Sequence, residues 1–269
     1  MKKNFVKTEE ALVAIRAGGK LLGEILETVS KIVKPGISTM DIDNLATKLI
    51  LEAGGRPAFL GYQMSPKYPA YPAAICVSVN DEVVHGIAKT THILKEGDIV
   101  GLDIGMEWPY KKGTPGYYTD TALTVGVGKI SEKDQQLLTR TQASLFAGIN
   151  AARGGGDIKD ISHAIELSLK PYGYGIVEDL VGHGVGNSVH EEPQVPNFTY
   201  RGAPSVPLVP GMVLALEPMI NQGSAEVYTD KDRWTVKTSD GSRSAHFEHT
   251  IIITNGAPEI VTKRPSEHN

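Results

Sequence analysis

Apolar residues recur at helical spacing over residues 8–34, where Leu12, Ile15, Leu22, Ile25, Leu26, Val29 and Ile32 mark one face and Pro35-Gly36 ends the pattern. Gly18-Gly19 interrupts it, and close packing against a neighbour would explain glycines there. A second helix is expected with Ser38 or Thr39 as its N-cap and Gly54-Gly55 as its terminator. Residues 56–73 carry four prolines and four aromatics and read as an irregular segment. Strand patterns follow at Ala74–Asn80, Asp98–Met106 and Thr119–Val127. Two further helices are expected, over about 131–153 and 157–172, separated by Gly154-Gly155-Gly156. The last third returns to strands at Met212–Pro218, Trp234–Thr238 and His246–Thr254. Two helices followed by strands, twice over, predict an α+β fold of two related halves within one domain spanning 1–269, although no close sequence repeat is visible.

The 269 residues include 41% apolar ones, enough to bury a core without disulfides or a structural metal. With 27 basic and 31 acidic side chains, a net charge of −4 and no Lys/Arg block, nucleic acid is not expected as the main partner. The single cysteine, Cys76, excludes an internal disulfide and fits a reducing compartment. No run reaches the roughly 18 apolar residues of a membrane span, and MKKNFVKTEE lacks the apolar stretch of a secretory signal, so a cytoplasmic location is expected.

Three acids stand where a carboxylate is costly. Asp103 interrupts an apolar run at 99–104, Glu217 closes 212–217, and Glu248 precedes Thr250-Ile251-Ile252-Ile253. Each could end a strand in water or pair with an arginine, Arg233 or Arg243 being the nearest; taken together, they are better explained by a shared cation. His183 and His190 lie in a glycine-rich stretch read as a turn region. Imidazole with carboxylate suits Mn, Fe, Co or Zn, whereas an all-oxygen set would favour Mg or Ca. The His190-Glu191-Glu192 sequence lacks the second histidine of a zincin helix, and no P-loop, dinucleotide fingerprint or nucleophile elbow is present. Cys76 is expected to pack, not to attack, and Asp81-Glu82 and Lys95–Asp98 read as solvated surface.

"GDIVGLDIG" at 97–105, "YTDTALT" around Asp120, "GHGVG" at 182–186, "HEEP" at 190–193, "LALEPMI" at 214–220 and "SAHFEHTIIIT" at 244–254 closely resemble methionine aminopeptidases of the bacterial type I class. "VNDEVVHGI" at 79–87 and "WTVKTSDGSRSA" at 234–245 extend the resemblance over essentially the whole chain. It implies a pita-bread fold, with helices outside a curved, mostly antiparallel sheet. It also implies removal of the initiator methionine from nascent proteins and peptides by a hydroxide held between two divalent ions. Asp103, Asp120, His183, Glu217 and Glu248 match the family's metal ligands, Asp120 and Glu248 as the bridging pair. Four such carboxylates and one hydroxide against two divalent ions leave a net charge of −1, which a substrate ammonium complements.

The resemblance further implies that Glu217 carries the proton to the leaving amine, that His190 contacts the substrate carbonyl and that His85 stands near the leaving group. It implies a substrate pocket of Phe59, Tyr62, Tyr71, Cys76, His85, Val189, His190 and Trp234, in which sulfur and aromatic walls suit a thioether. Asn80 and Ser244 match positions beside a monovalent cation, Na or K. A monomer is implied, and contact with the ribosome is left open. Two segments look inserted, 63–70 and 107–116, the second lying within the seventeen positions that separate Asp103 from Asp120. Phe59 stands where the family commonly has a smaller residue, and Val189 where it commonly has a larger aromatic one. The rivals are an Xaa-Pro aminopeptidase or dipeptidase, which usually carries an extra N-terminal domain, and a metal-free partner-binding relative. The interval of 27 positions from His190 to Glu217 is too short for the type II class.

Overall fold

The computed structural model describes residues 5–267. Helix α1 (Glu9–Ser30) starts at Thr8, whose hydroxyl accepts from the Ala11 N–H, and buries the expected apolar face. It stops four residues before the sequence pattern does. Gly19 and Gly23 let its backbone lie against the C-terminal segment, where a Cβ on Gly19 would come within 2.8 Å of the Val261 carbonyl oxygen. Helix α2 (Thr39–Glu52) opens with a reciprocal capping box between Ser38 and Asp41. Helices α3 (Glu132–Ala151) and α4 (Ile158–Leu169) start at Ser131 and Asp157, and α4 gives way to a 3-10 turn at Lys170–Tyr172.

The strands of the first half are β1 (Arg56–Pro57), β2 (Ile75–Val79), β3 (Glu82–Val84), β4 (Ile99–Trp108) and β5 (Tyr117–Gly126). Those of the second half begin with β6 (Gly175–Ile176), β7 (Gly182–Gly184), β8 (Glu191–Val195), β9 (Val213–Leu216) and β10 (Met219–Asn221). The last five are β11 (Val227–Thr229), β12 (Val236–Thr238), β13 (Ser244–His246), β14 (Glu248–Ile252) and β15 (Glu259–Ile260). Nine of them form one sheet in the order β1-β4-β5-β14-β9-β7-β8, with β2 also on β4 and β15 on β14. All the pairings are antiparallel. The largest apolar cluster draws on both halves, from Leu22 on α1 to Ile253 beyond β14.

The inserted-looking 107–116 segment lengthens a hairpin: β4 and β5 stay in register from Ile99↔Gly126 to Trp108↔Tyr117, so the added length does not shift the aspartates. His183 lies on strand β7, not in the expected turn region, because two glycines flanking a buried residue permit close packing of neighbouring strands as well as a turn. Asp81-Glu82 is not simply solvated surface. Asp81 pairs with Lys237 at 2.9 Å, and Glu82, half-buried on β3, accepts the Val79 N–H at 2.8 Å. The Lys95–Asp98 turn is present, but Asp98 is half-buried and accepts a hydrogen bond from the Asn80 side-chain amide.

Candidate metal centre

Register alone brings five ligand-type side chains to one face of the large sheet. Side chains of directly paired residues share a face, as do those two positions apart on one strand. Ala122 on β5 pairs with Asp103 on β4 and with Glu248 on β14, so these point the same way, as does Asp120 two residues before Ala122. Ala215 on β9 pairs with Thr250, two residues beyond Glu248, and with His183 on β7. Glu217 follows two residues after Ala215, immediately beyond the last residue of β9. The two central positions are alanines, which leave room above the sheet for the longer side chains around them.

Ligand atoms of Asp103, Asp120 and Glu248 lie within 4.8 Å of one another, as do those of His183, Glu217 and Glu248. Asp120, His183 and Glu248 are buried. Crossed hydrogen bonds hold the strands beneath them: Thr250 Oγ1 accepts the Asp120 N–H and donates to the Asp120 carbonyl, and Thr121 Oγ1 donates to the Glu248 carbonyl. His183 Nδ1 is 2.9 Å from the Gly184 carbonyl oxygen, which places the ring proton there and leaves the Nε2 lone pair facing Glu217 Oε1 at 3.5 Å.

The site is electrostatically incomplete as bare protein. Asp103 Oδ1, Asp120 Oδ1 and Glu248 Oε1 are buried without hydrogen-bond partners. Burial, aided by mutual repulsion, raises the Asp103 carboxyl to about 8 and drives Asp120 and Glu248 well above the usual carboxylate range; burial raises Glu217 to about 8. Burial lowers the His183 imidazole to about 4, which keeps it neutral and able to ligate. The arginines do not neutralise these acids. Arg243 is engaged by Asp134 and the Gly97 carbonyl, Arg233 stacks on Tyr68, and Arg264 pairs with Glu267. Four carboxylates and one neutral imidazole with unsatisfied inward-facing oxygens fit divalent cations, and the mixed N/O set suits the transition ions better than Mg or Ca.

A cavity of about 310 Å³ opens beside this cluster. Of the pocket residues singled out in the sequence, Phe59, Tyr62, Tyr71, Cys76, His85, His190 and Trp234 line it, together with Met64, Val84, Leu180, Gln194 and Met219, which sequence reasoning did not single out. Val189 is not among its lining residues; it is 5% exposed and belongs to the same apolar cluster as Phe59, Tyr71, Cys76 and Trp234. The irregular 56–73 segment supplies most of the aromatic side. Trp234 donates from Nε1 to the Pro69 carbonyl and meets the rings of Tyr68, Tyr71 and His85 edge-on. Tyr62 meets His190 at 5.1 Å, and His190 meets His183 at 4.5 Å, so the two histidines of the sequence motif are neighbours in space. His85 adopts a left-handed backbone conformation (φ 59°), uncommon for a residue with a Cβ, and burial lowers its imidazole to about 4.

Two features were missed by sequence reasoning. His246 is buried, with Nε2 3.4 Å from Glu217 Oε2, and its place two positions before Glu248 was the available signal. Lys7, in the segment before α1, reaches Glu191 beside His190; no local pattern announces a contact over that separation. Asn80 and Ser244 do meet, through the Ser244 N–H and the Asn80 carbonyl, while the Asn80 side chain is committed to Asp98 and the Ile99 N–H.

The pattern of metallopeptidase family M24 matches residues 13–255. The methionine aminopeptidase of Clostridium acetobutylicum is 41% identical over 258 residues, which cover 96% of this chain and 98% of that protein. Methionine aminopeptidase 1 of Bacillus subtilis is 42% identical over 259 residues, with the same shares covered. The crystal structure of the Thermotoga maritima methionine aminopeptidase superposes with a TM-score of 0.88 at 39% identity, covering 96% of this chain and 99% of that one. Prolidase from Pyrococcus furiosus shares the fold (TM-score 0.74) at 21% identity, and only 65% of its length is covered. The α+β architecture is thus the pita-bread fold, and the full-length matches are to methionine aminopeptidases, not to the Xaa-Pro enzymes. The chain belongs to metallopeptidase family M24, among its methionine aminopeptidases.

Proposed function

We propose that the protein removes the N-terminal methionine from nascent proteins and peptides, as one catalytic domain spanning 1–269. The observation that carries this reading is the juxtaposition of the five-ligand cluster with a cavity walled by Cys76, Tyr62, Tyr71 and Trp234. Asp103, Asp120, His183, Glu217 and Glu248 would hold two divalent ions, with Co, Mn, Fe and Zn as candidates. Such ions supply Lewis acidity and lower the pKa of water between them.

The rest of the chemistry falls to the chain's own residues. The aromatic and sulfur-lined cavity accepts an unbranched thioether, and the excess of carboxylates beside it attracts the free α-ammonium. Glu217 is half-buried at the cavity edge between His183 and His246, where it can hold a proton and pass it to the departing amine. His190, at the open side of the cavity, is the donor for the scissile carbonyl, and His85 serves the leaving side. A monovalent cation, Na or K, beside Asn80 and Ser244 belongs to the same proposal. So do a monomeric state, a cytoplasmic location and access to chains at the ribosome; among the described residues no helix is long and apolar enough to cross a membrane.

The test is release of the first residue from Met-Ala-Ser and Ala-Pro-Ser after metal removal and addition of Co, Mn, Fe or Zn singly. Metal-dependent cleavage of the methionyl peptide alone supports the proposal. Cleavage of Ala-Pro-Ser would replace it with the Xaa-Pro activity, and inertness towards both with every metal would favour a partner-binding role.

A further inference from the structure

A peptide held by its first residue must leave the cavity, and exposed Gln194 forms part of the lining past which it can pass. Gln194 is the register partner of His183, so the two share the metal-bearing face of the sheet. Gln194 is also a wall of a second cavity of about 300 Å³, enclosed by β8, the start of α4 and residues 196–206. That groove therefore adjoins the first cavity at one exposed side chain. Pro193, Pro196 and Pro204 form rigid walls, and the Phe198 and Tyr200 rings meet at 5.7 Å along it, tilted by 40°. Tyr200 is 46% exposed, a large aromatic without cover.

The sheet itself supplies the second element. β8 is the last strand of the nine-stranded order, paired with β7 on one edge and with no strand on the other among the described residues. An open edge offers main-chain hydrogen bonds to any extended peptide, whatever its sequence. Aromatic and proline surfaces are similarly tolerant of what lies against them. An enzyme acting on many different chains needs this kind of contact beyond the residues it reads.

We infer that the groove between β8, Ile158–Ser162 and residues 196–206 binds the substrate beyond its third residue, as an extended chain leaving the active cavity over Gln194. This rests on the aminopeptidase reading and names how that site holds the body of its substrate. The groove discriminates by length and extension, not by side chain.

The experiment compares the metal-loaded enzyme on Met-Ala-Ser and on an eight-residue peptide with the same start. The expected kcat/KM is about tenfold higher for the long peptide, from additional uniform binding. Tyr200→Ala, at an exposed side chain outside the catalytic machinery, should bring that ratio near one while leaving Met-Ala-Ser turnover unchanged. A second readout needs no turnover: the long peptide with benzoylphenylalanine at its fifth position should crosslink the metal-free protein within 158–162 or 192–206. A length ratio of one in the unaltered enzyme, a ratio insensitive to Tyr200→Ala, or crosslinks only elsewhere would overturn the inference and leave the aminopeptidase reading standing. Failure to cleave Met-Ala-Ser at all would overturn both.

Discussion

Lys7 Nζ lies 2.5 Å from Glu191 Oε2, a part-buried ion pair that ties the segment before α1 to the strand that follows His190. The other Glu191 oxygen accepts the N–H groups of Asn187 and Ser188, so one carboxylate fixes the whole turn leading to His190. Gly186 makes the pair possible, since a Cβ there would meet Lys7 Cε at 2.7 Å. Lys7→Met keeps most of the volume and removes the charge. Stability should fall by about 1–2 kcal/mol, between the values for exposed and buried pairs, because Glu191 loses its counter-charge but keeps the two N–H donors. The kcat/KM on Met-Ala-Ser should fall about tenfold through the displaced His190, with metal affinity unchanged. Thermal denaturation, peptide kinetics and metal titration check this; activity within twofold of the parent enzyme would show that the turn holds its shape without Lys7.

Asp120 has its backbone N–H and carbonyl bonded to Thr250, so Asp120→Asn leaves the strand pairing intact and changes only the donor offered to the metals. Turnover should drop by a factor on the order of a thousand or more, with less metal bound per chain. The metal-free variant should melt no lower than metal-free parent protein, since one member of a mutually repelling carboxylate group has been removed. Full metal content with near-parental rates would remove Asp120 from the ligand set.

Much of this was legible along the chain. Periodicity located the four helices, and the costly acids at Asp103, Glu217 and Glu248 pointed to a cation because burial of a charge has few other solutions. The aligned face needed strand register, which a linear pattern does not carry: only pairing through Ala122 and Ala215 brings Asp120 and His183 beside the rest. Short strands such as β7 and β8 escaped because glycine and proline mask their alternation. The resemblance implies a cavity position for Val189, but the residue is buried in the apolar cluster and is not among the lining residues.

Arg233 holds the inserted-looking 63–70 segment from outside. Its guanidinium stacks over Tyr68 at 4.6 Å and donates to the Lys67 carbonyl, while Tyr68 leans on the pocket tryptophan. A cation–π contact at such a site contributes about 0.5–1 kcal/mol, enough to order a loop but not a domain. Arg233→Ala should therefore raise KM for Met-Ala-Ser by about threefold and leave kcat nearly unchanged. Limited trypsin digestion should cut faster after Lys67. Unchanged KM with unchanged digestion would mean that Trp234, through its bond to the Pro69 carbonyl, suffices to fix the segment.

The C-terminal end carries the clearest pH dependence outside the metal cluster. Glu267 accepts from the Arg264 side chain at 2.5 Å and from the Arg264 N–H at 2.9 Å, and its other neighbours are buried His249 and, through Ser266, Glu27 on α1. Burial alone would raise its carboxyl, but hydrogen bonding and charge from His249 and Arg264 outweigh that and hold it at about 2. A depressed carboxyl stabilises the fold above its unfolded value near 4.5, and that stability is lost as pH falls from there towards 2. Its size is on the order of 2–3 kcal/mol, which Glu267→Gln should remove at neutral pH. Arg264, itself 3% exposed and bonded to the Thr121 hydroxyl and Ala122 carbonyl beneath the metal-bearing face, would then lack its counter-charge. Denaturant unfolding of the parent and variant from pH 7 to pH 3 should show a stability gap that narrows steadily below about pH 4.5. A gap that is constant across that range would mean that Glu267 acts by shape alone, and that its charge does not hold Arg264 in place.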